Sequence, residues 1–214
     1  MNILKYILLI FVLYLSTSIG EFIIHKYGMH NITLNKHNIP GISNHLDHHS
    51  DVHYDMTLNE NHNDRGMYFM TSVTIILGII VFLIYYFWIN IIFKLKLDYK
   101  YIILISFIIS IGYKLLWNNV HYKFHMLGKP FNQWTKYEKL LFRNHTYHHL
   151  QKGKTKGNYN IIFLGADYLF GQYNTCLNNK EYCDSLNGNN KLCNYQKNKI
   201  VPNKFSRYGI KYCD

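Results

Sequence analysis

The sequence predicts an all-α integral membrane protein: about three transmembrane helices with a helical cap that carries a histidine-rich site for two metal ions. Three observations predict it. Strongly apolar blocks alternate with polar ones, and Met67 to Phe93 runs twenty-seven residues without a charge, long enough to cross a bilayer with some tilt. Ten of the 13 histidines fall into four compact groups. Two of these groups share one spelling, His-x-x-His-His, at His45-Leu46-Asp47-His48-His49 and His145-Thr146-Tyr147-His148-His149.

In chain order, Ile3 to Ile24 is apolar apart from Lys5, Glu21 and the Ser16-Thr17-Ser18 patch. At 1.5 Å per residue it reaches about 33 Å, enough to span. A cleaved signal peptide is the rival reading, with Lys5 as its charged end and Tyr6 to Leu15 as its apolar core. Cleavage would leave His25 beside a free terminus with no helix to hold it, so a retained span is expected. His25 and His30 follow. Glu21, one turn before His25, is either a partner that orients that imidazole or a carboxylate at the interface.

Asn31 to Asp64 is polar and holds the first triplet. Its acids Asp51, Asp55, Glu60 and Asp64 read foremost as solvated surface, as do His37 and His62, while His53 follows His49 closely enough to neighbour the site. Residues 67–93 give a second span, Lys94 to Lys100 a polar turn, and Tyr101 to Trp117 a third span interrupted only by Lys114. That stretch runs into His121 and His125, which as i and i+4 share one helix face. The chain is thus two similar halves, each a membrane helix, a histidine pair, a polar connection and a triplet. The helix directions bring all four groups to one side of the membrane. Residues 1–173 make the membrane domain; 174–214 form an Asn-, Lys- and Tyr-rich tail expected to be loosely ordered. Its cysteines Cys176, Cys183, Cys193 and Cys213 match no zinc-ribbon spacing.

The net charge of +11 is concentrated late, with fifteen Lys/Arg against five Asp/Glu after Val120. Beside long apolar segments this favours a cytosolic membrane face with anionic lipids, and no nucleic-acid partner is expected. The same bias places the histidines on the cytosolic side. Asn31-Ile32-Thr33 and Asn144-His145-Thr146 spell glycosylation acceptors, but a glycan at Asn144 would sit inside the cluster.

Imidazole suits iron, zinc and copper. Ten imidazoles exceed the roughly four to six ligands of one first-row ion, so two ions with about five each are expected. Neighbouring helical residues diverge by about 100°, so His48 and His49 should face different ions. No His-Glu-x-x-His of a zinc protease occurs, and the bridging carboxylates of soluble di-iron bundles have no counterpart in these groups. The spans also lack the mid-membrane charges of a transporter. A polyimidazole pair of metals at a membrane surface points to oxygen activation above a lipid chain.

From about Glu21 to Gly171 the chain resembles the fatty acid hydroxylase/sterol desaturase superfamily of membrane histidine-box, di-metal oxidoreductases. The resemblance rests on the four histidine groups in their order and on a closing signature, Asn-Tyr-Gly…Trp-Asp-x-Leu-Phe-Gly-Thr. That signature reads here Asn158-Tyr159-Asn160…Ala166-Asp167-Tyr168-Leu169-Phe170-Gly171-Gln172. The spacing within the two pairs is most similar to the fatty acid 2-hydroxylases. Asn160, Ala166 and Gln172 depart from the signature at what look like packing and turn positions, which puts the shape of the substrate in question more than the metals.

The resemblance implies two iron ions (with zinc as a possible substitute), dioxygen as co-substrate and a lipid substrate within the membrane. It implies hydroxylation of a fatty acyl or sphingolipid C–H bond in lipid biosynthesis, with desaturation or sterol oxidation as the alternative within the superfamily. A non-catalytic metal- or lipid-binding protein is the alternative outside it. Electrons would come from a separate cytochrome b5-type or reductase donor, and the endoplasmic reticulum or an equivalent membrane is the expected location. The implied ligand sets are His30, His45, His48, His121 and His145 for one ion, and His25, His49, His125, His148 and His149 for the other. Each histidine group would then feed both ions.

Overall fold

The computed structural model describes residues 3–35, 37, 42–52, 56–58, 68–126, 133–151, 156–174, 177–178 and 212–213. His53, His62, Asp55, Glu60, Asp64, the Gly128-Lys129-Pro130 segment and almost all of the tail, with Cys176, Cys183 and Cys193, lie outside these residues.

The described chain is predominantly helical, and three of its helices are long and apolar enough to cross a membrane: Tyr6–Met29, Thr71–Ile92 and Tyr99–His125. The first comprises α1 (Ile3–Ile23) and a π-helical turn, Ile24–Met29, that continues it. Two short helices follow, α2 (Ile32–Asn35) and α3 (Ser43–Asp51), the latter carrying the first triplet. The second span is α4 (Thr71–Tyr86) with a π-helical end, Phe87–Ile92. It starts at Thr71 rather than Met67 because Met70 is extended (φ −75°, ψ 158°). The third, α5 (Tyr99–Met126), continues without a break past Trp117 to carry His121 and His125. Then come α6 (Lys136–Leu150), with the second triplet in its last turns, and α7 (Ala166–Leu169). Two two-residue strands, β1 (Leu177–Asn178) and β2 (Tyr212–Cys213), pair in parallel.

The outward faces of the long helices are apolar. Ile79, Leu83, Leu104, Ile108 and Leu115 are each at least half exposed, an arrangement unfavourable in water and suited to lipid. The inward faces pack Val73, Leu77, Val81, Ile102, Tyr113 and Trp117 into one core. The α4–α5 contact is close at Gly78, where a Cβ would lie 3.1 Å from the Phe107 ring. At the far end Asn90 exchanges two hydrogen bonds of 2.8 Å with the Leu97 backbone and closes the polar turn. Lys114 donates to the Thr71 hydroxyl (3.0 Å). α1 and α5 therefore deliver their histidines at one end of the bundle, the end from which α4 starts.

α1 is tied into the rest of the fold. Thr17 shares a 2.8 Å hydrogen bond with the Tyr85 hydroxyl, and the Tyr14 hydroxyl donates to the Leu164 carbonyl (2.9 Å). Removal of this segment as a signal peptide would orphan both partners. Mass spectrometry of the mature chain is expected to find residues 1–20 retained; a terminus near Ser18 or Gly20 would overturn this.

Candidate metal centre

Four helical pieces present the histidines, and each piece's pitch decides which side chains meet. In an α-helix His25 and His30, five residues apart, would point about 140° away from each other. The π-helical turn removes that divergence. His30 N–H donates to the His25 carbonyl (3.1 Å), the i→i+5 bond that closes one wide turn, and both imidazoles emerge on one face. His121 and His125 need no such device, since i and i+4 already align. Within each triplet the first and last histidines are also i and i+4, about 40° apart, while the middle one lies about 100° from the last.

The result is two clusters of five. Site 1 gathers His25, His30, His45, His49 and His148, and site 2 gathers His48, His121, His125, His145 and His149; within each, the ligand nitrogens all lie within 4.8 Å of one another. All ten predicted histidines are used, and His48 and His49 part as expected. The ligand sets implied by the resemblance are corrected. The π-turn sends His25 and His30 to the same site, and the α-helical pitch sends His121 and His125 together to the other. Only the triplets feed both sites, each keeping its outer two histidines for its own half and lending its middle one, His48 or His148, across. The sites abut: His49 and His149 stack at 4.0 Å between ring centroids.

The donor set fits an ion in each site. In site 1 the Nε2 atoms of His25 and His45, His30 and His148, His45 and His49, and His49 and His148 stand 2.9–3.2 Å apart. Ligands about 2.1 Å from one ion are spaced roughly 3 Å along a coordination edge. His25 donates Nδ1–H to the Tyr159 carbonyl (2.5 Å) and His148 to the Gly157 carbonyl (2.8 Å), so their Nε2 atoms carry lone pairs aimed inward. Converging lone pairs repel unless a cation lies between them. In site 2 His125 likewise donates to the Met56 carbonyl (2.8 Å), and among the described residues both ring nitrogens of buried His149 lack a hydrogen-bond partner. Burial first, and then the neighbouring imidazoles, hold His45, His145 and His149 well below the ordinary histidine range; for His49 and His148 the neighbours include Lys156. They are neutral at pH 7, the form that ligates. The sites differ in access: His30 and His49 of site 1 are half-buried, whereas all five residues of site 2 are buried.

The closing signature is a bracket that positions ligands through its backbone. Asp167 accepts from the Tyr159 and Asn160 N–H groups (2.9 and 2.7 Å), and Asn160 Oδ1 accepts from Asp167 N–H (3.0 Å). Burial raises the Asp167 carboxyl to about 6 against these bonds. Ser18 Oγ accepts from Ala166 N–H (2.8 Å), and a Cβ on Gly165 (φ +153°) would lie 3.3 Å from that oxygen. Asn144, buried, donates to the Asn160 carbonyl (2.6 Å), which leaves no room for a glycan.

Glu21 accepts from three successive N–H groups, Ile161, Ile162 and Phe163, at 2.5, 2.9 and 2.9 Å. It orients His25 only indirectly, by fixing the segment whose Tyr159 carbonyl holds the ring. Glu21→Leu should therefore cost roughly 3 kcal/mol or more in stability, with Glu21→Gln in between, and both should lower metal content. Thermal unfolding and metal analysis check this; an unchanged melting temperature in Glu21→Leu would refute it.

Sequence reasoning did not single out Trp117. Its ring stacks on His121 (5.1 Å) and meets His25 edge-on (5.5 Å), so it touches one ligand of each site. The signal was there, since Trp117 is one helical turn before His121. Tyr159 borders three site 1 rings, His25, His30 and His148, at 5.3–5.7 Å. Glu138, pushed down to about 2 chiefly by its bond to Lys123, caps α6 with Thr135 and ties it to α5. No protein-family model matches this chain, and comparisons with curated proteins and with solved structures find no match either.

Proposed function

We propose that the chain is a membrane-bound di-iron oxidoreductase that uses dioxygen to hydroxylate a lipid C–H bond. The observation that carries this reading is the pair of interlocked five-imidazole shells at one end of three membrane-length helices. Bound iron would supply the activation of dioxygen. The protein's own groups do the rest. The carbonyls of Tyr159, Met56 and Gly157 fix which nitrogen of His25, His125 and His148 faces an ion. Trp117, Tyr159 and Phe124 pack against the ligand rings and keep water from them. Electrons come from a separate cytochrome b5-type or reductase donor, and the site faces the cytosol at the endoplasmic reticulum or an equivalent membrane.

Lipid profiling of cells expressing the protein under isotopically labelled dioxygen tests the reading. A hydroxylated lipid carrying the label should appear with the wild type and be absent with His148→Ala. An unchanged profile, or the same product from the variant, would refute it. Because imidazole also accepts zinc, the metal is identified on protein from iron-replete cells.

A further inference from the structure

The mouth of site 1 differs in charge from its interior. Lys26 lies one residue after the ligand His25, at the edge of the half-buried side of the site. Its ammonium sits over the rings of Phe22, Tyr27 and Tyr159 at 5.1, 5.3 and 5.5 Å and donates to Gln172 Oε1 (3.1 Å). Tyr159 is also the ring that borders His25, His30 and His148. Lys156 approaches the same place along the chain. Its neighbour Gly157 holds His148 through a carbonyl and packs against the Gln172 backbone, and its charge acts on His25, His30, His49 and His148. Lys26 thus bonds Gln172 directly, and the backbone next to Lys156 packs on Gln172 beside the accessible cluster.

Next to this charge lies exposed apolar surface. Tyr27 and Leu169 are more than half exposed and Phe170 is nearly so. Phe170 packs on Phe22 at 4.9 Å and Tyr27 on Phe22 at 6.2 Å, so the patch continues the outer surface of α1 up to the Lys26 ammonium. A Lys26 ammonium at the end of an apolar strip, with Lys156 close by along the site, matches an anionic oxygen group at the end of an alkyl chain.

We propose that the mouth of site 1 is the binding site for the anionic head, a carboxylate or phosphate, of an alkyl-chain amphiphile. Lys26 and Lys156 take the head, and Tyr27, Leu169 and Phe170 take the first part of the chain. This rests on the lipid-oxidising reading in that it makes site 1 the face the substrate meets, while site 2 stays sealed behind it.

Binding is measured without turnover, on the metal-loaded protein in nanodiscs of zwitterionic lipid under anaerobic conditions, with empty nanodiscs subtracted. The probes are palmitate, hexadecyl phosphate, hexadecanol, acetate and inorganic phosphate. Palmitate and hexadecyl phosphate should bind about tenfold or more tighter than hexadecanol, and acetate or inorganic phosphate should not displace them. Lys156→Gln, and Lys26→Gln with it, should erase the preference while metal content is unchanged; Lys94→Gln with Lys96→Gln at the far turn should leave it intact. If Lys26→Gln disturbs metal loading, Lys156→Gln alone decides. Equal binding of hexadecanol, displacement by inorganic phosphate, or a preference that survives Lys156→Gln would each overturn the proposal. Head-group binding that depends on Lys156 in a protein forming no oxidised lipid would uphold this site and count against the oxidoreductase reading only.

Discussion

His48→Ala and His148→Ala should each cut bound metal from about two ions per chain to about one and abolish lipid oxidation. These are the middle histidines of the two triplets, and each is the single ligand its half of the chain lends to the opposite site. Without His148, site 1 keeps His25, His30, His45 and His49, all from the amino-terminal half, and loses its link to α6. Without His48, site 2 loses its link to α3 in the same way. Loss of a supporting group alone typically costs 10- to 100-fold in affinity or activity, so a lost ligand should lower product by roughly 100-fold or more. His49→Ala should also abolish product, since the oxidant needs both ions. The three spans contribute neither triplet, so the variants should stay in the membrane. Metal analysis and product quantification on the same preparations decide the matter. One ion in the wild type, or persistent product in any of the three variants, would remove the two-metal mechanism.

The ten clustered histidines were legible in the sequence, and their partition into two groups was not. Ten imidazoles at helical spacings announce a centre, and the uncharged run from Met67 announces a span, because both are properties of residue type and pitch. The pairing of His25 with His30 depends on a backbone widening that Lys26-Tyr27-Gly28-Met29 does not spell out. The spacing itself was the clue, since histidines at i and i+5 share a face only around a π-turn. Glu21 was visible as a carboxylate near His25, but its three N–H partners come from residues 161–163, and a contact across 140 positions leaves no local trace. The groups that orient the ligands are mostly backbone carbonyls, which every residue carries, so no side chain marks Tyr159, Gly157 or Met56 for that role. His37 is exposed, as expected of a surface residue.

Acidification should empty and loosen the centre in a narrow range below pH 6.5. His30, His45, His49, His145, His148 and His149 are all held below the ordinary value of 6.5, by burial first and by neighbouring charges second. The sign follows from linkage: these residues stay neutral when folded, but their unfolded counterparts take up protons as the pH falls through 6.5. Stability is therefore full above about 6.5 and declines below it, by up to about 1.4 kcal/mol per pH unit for each histidine and about 8 kcal/mol per unit for the six together as a ceiling. Asp167 acts in the opposite direction. Its carboxyl is raised from 3.8 to about 6, so protonation in that interval favours the folded form by about 1.4 kcal/mol per unit and partly offsets the histidines. Bound ions sharpen the loss, because each must leave before its imidazoles can take protons. Metal retention and melting temperature measured from pH 8 to pH 5 should hold level down to about 6.5 and then fall together. A melting temperature that is flat or rising from 6.5 to 5, with metal retained, would show that these imidazoles are not the neutral ligands of the centre.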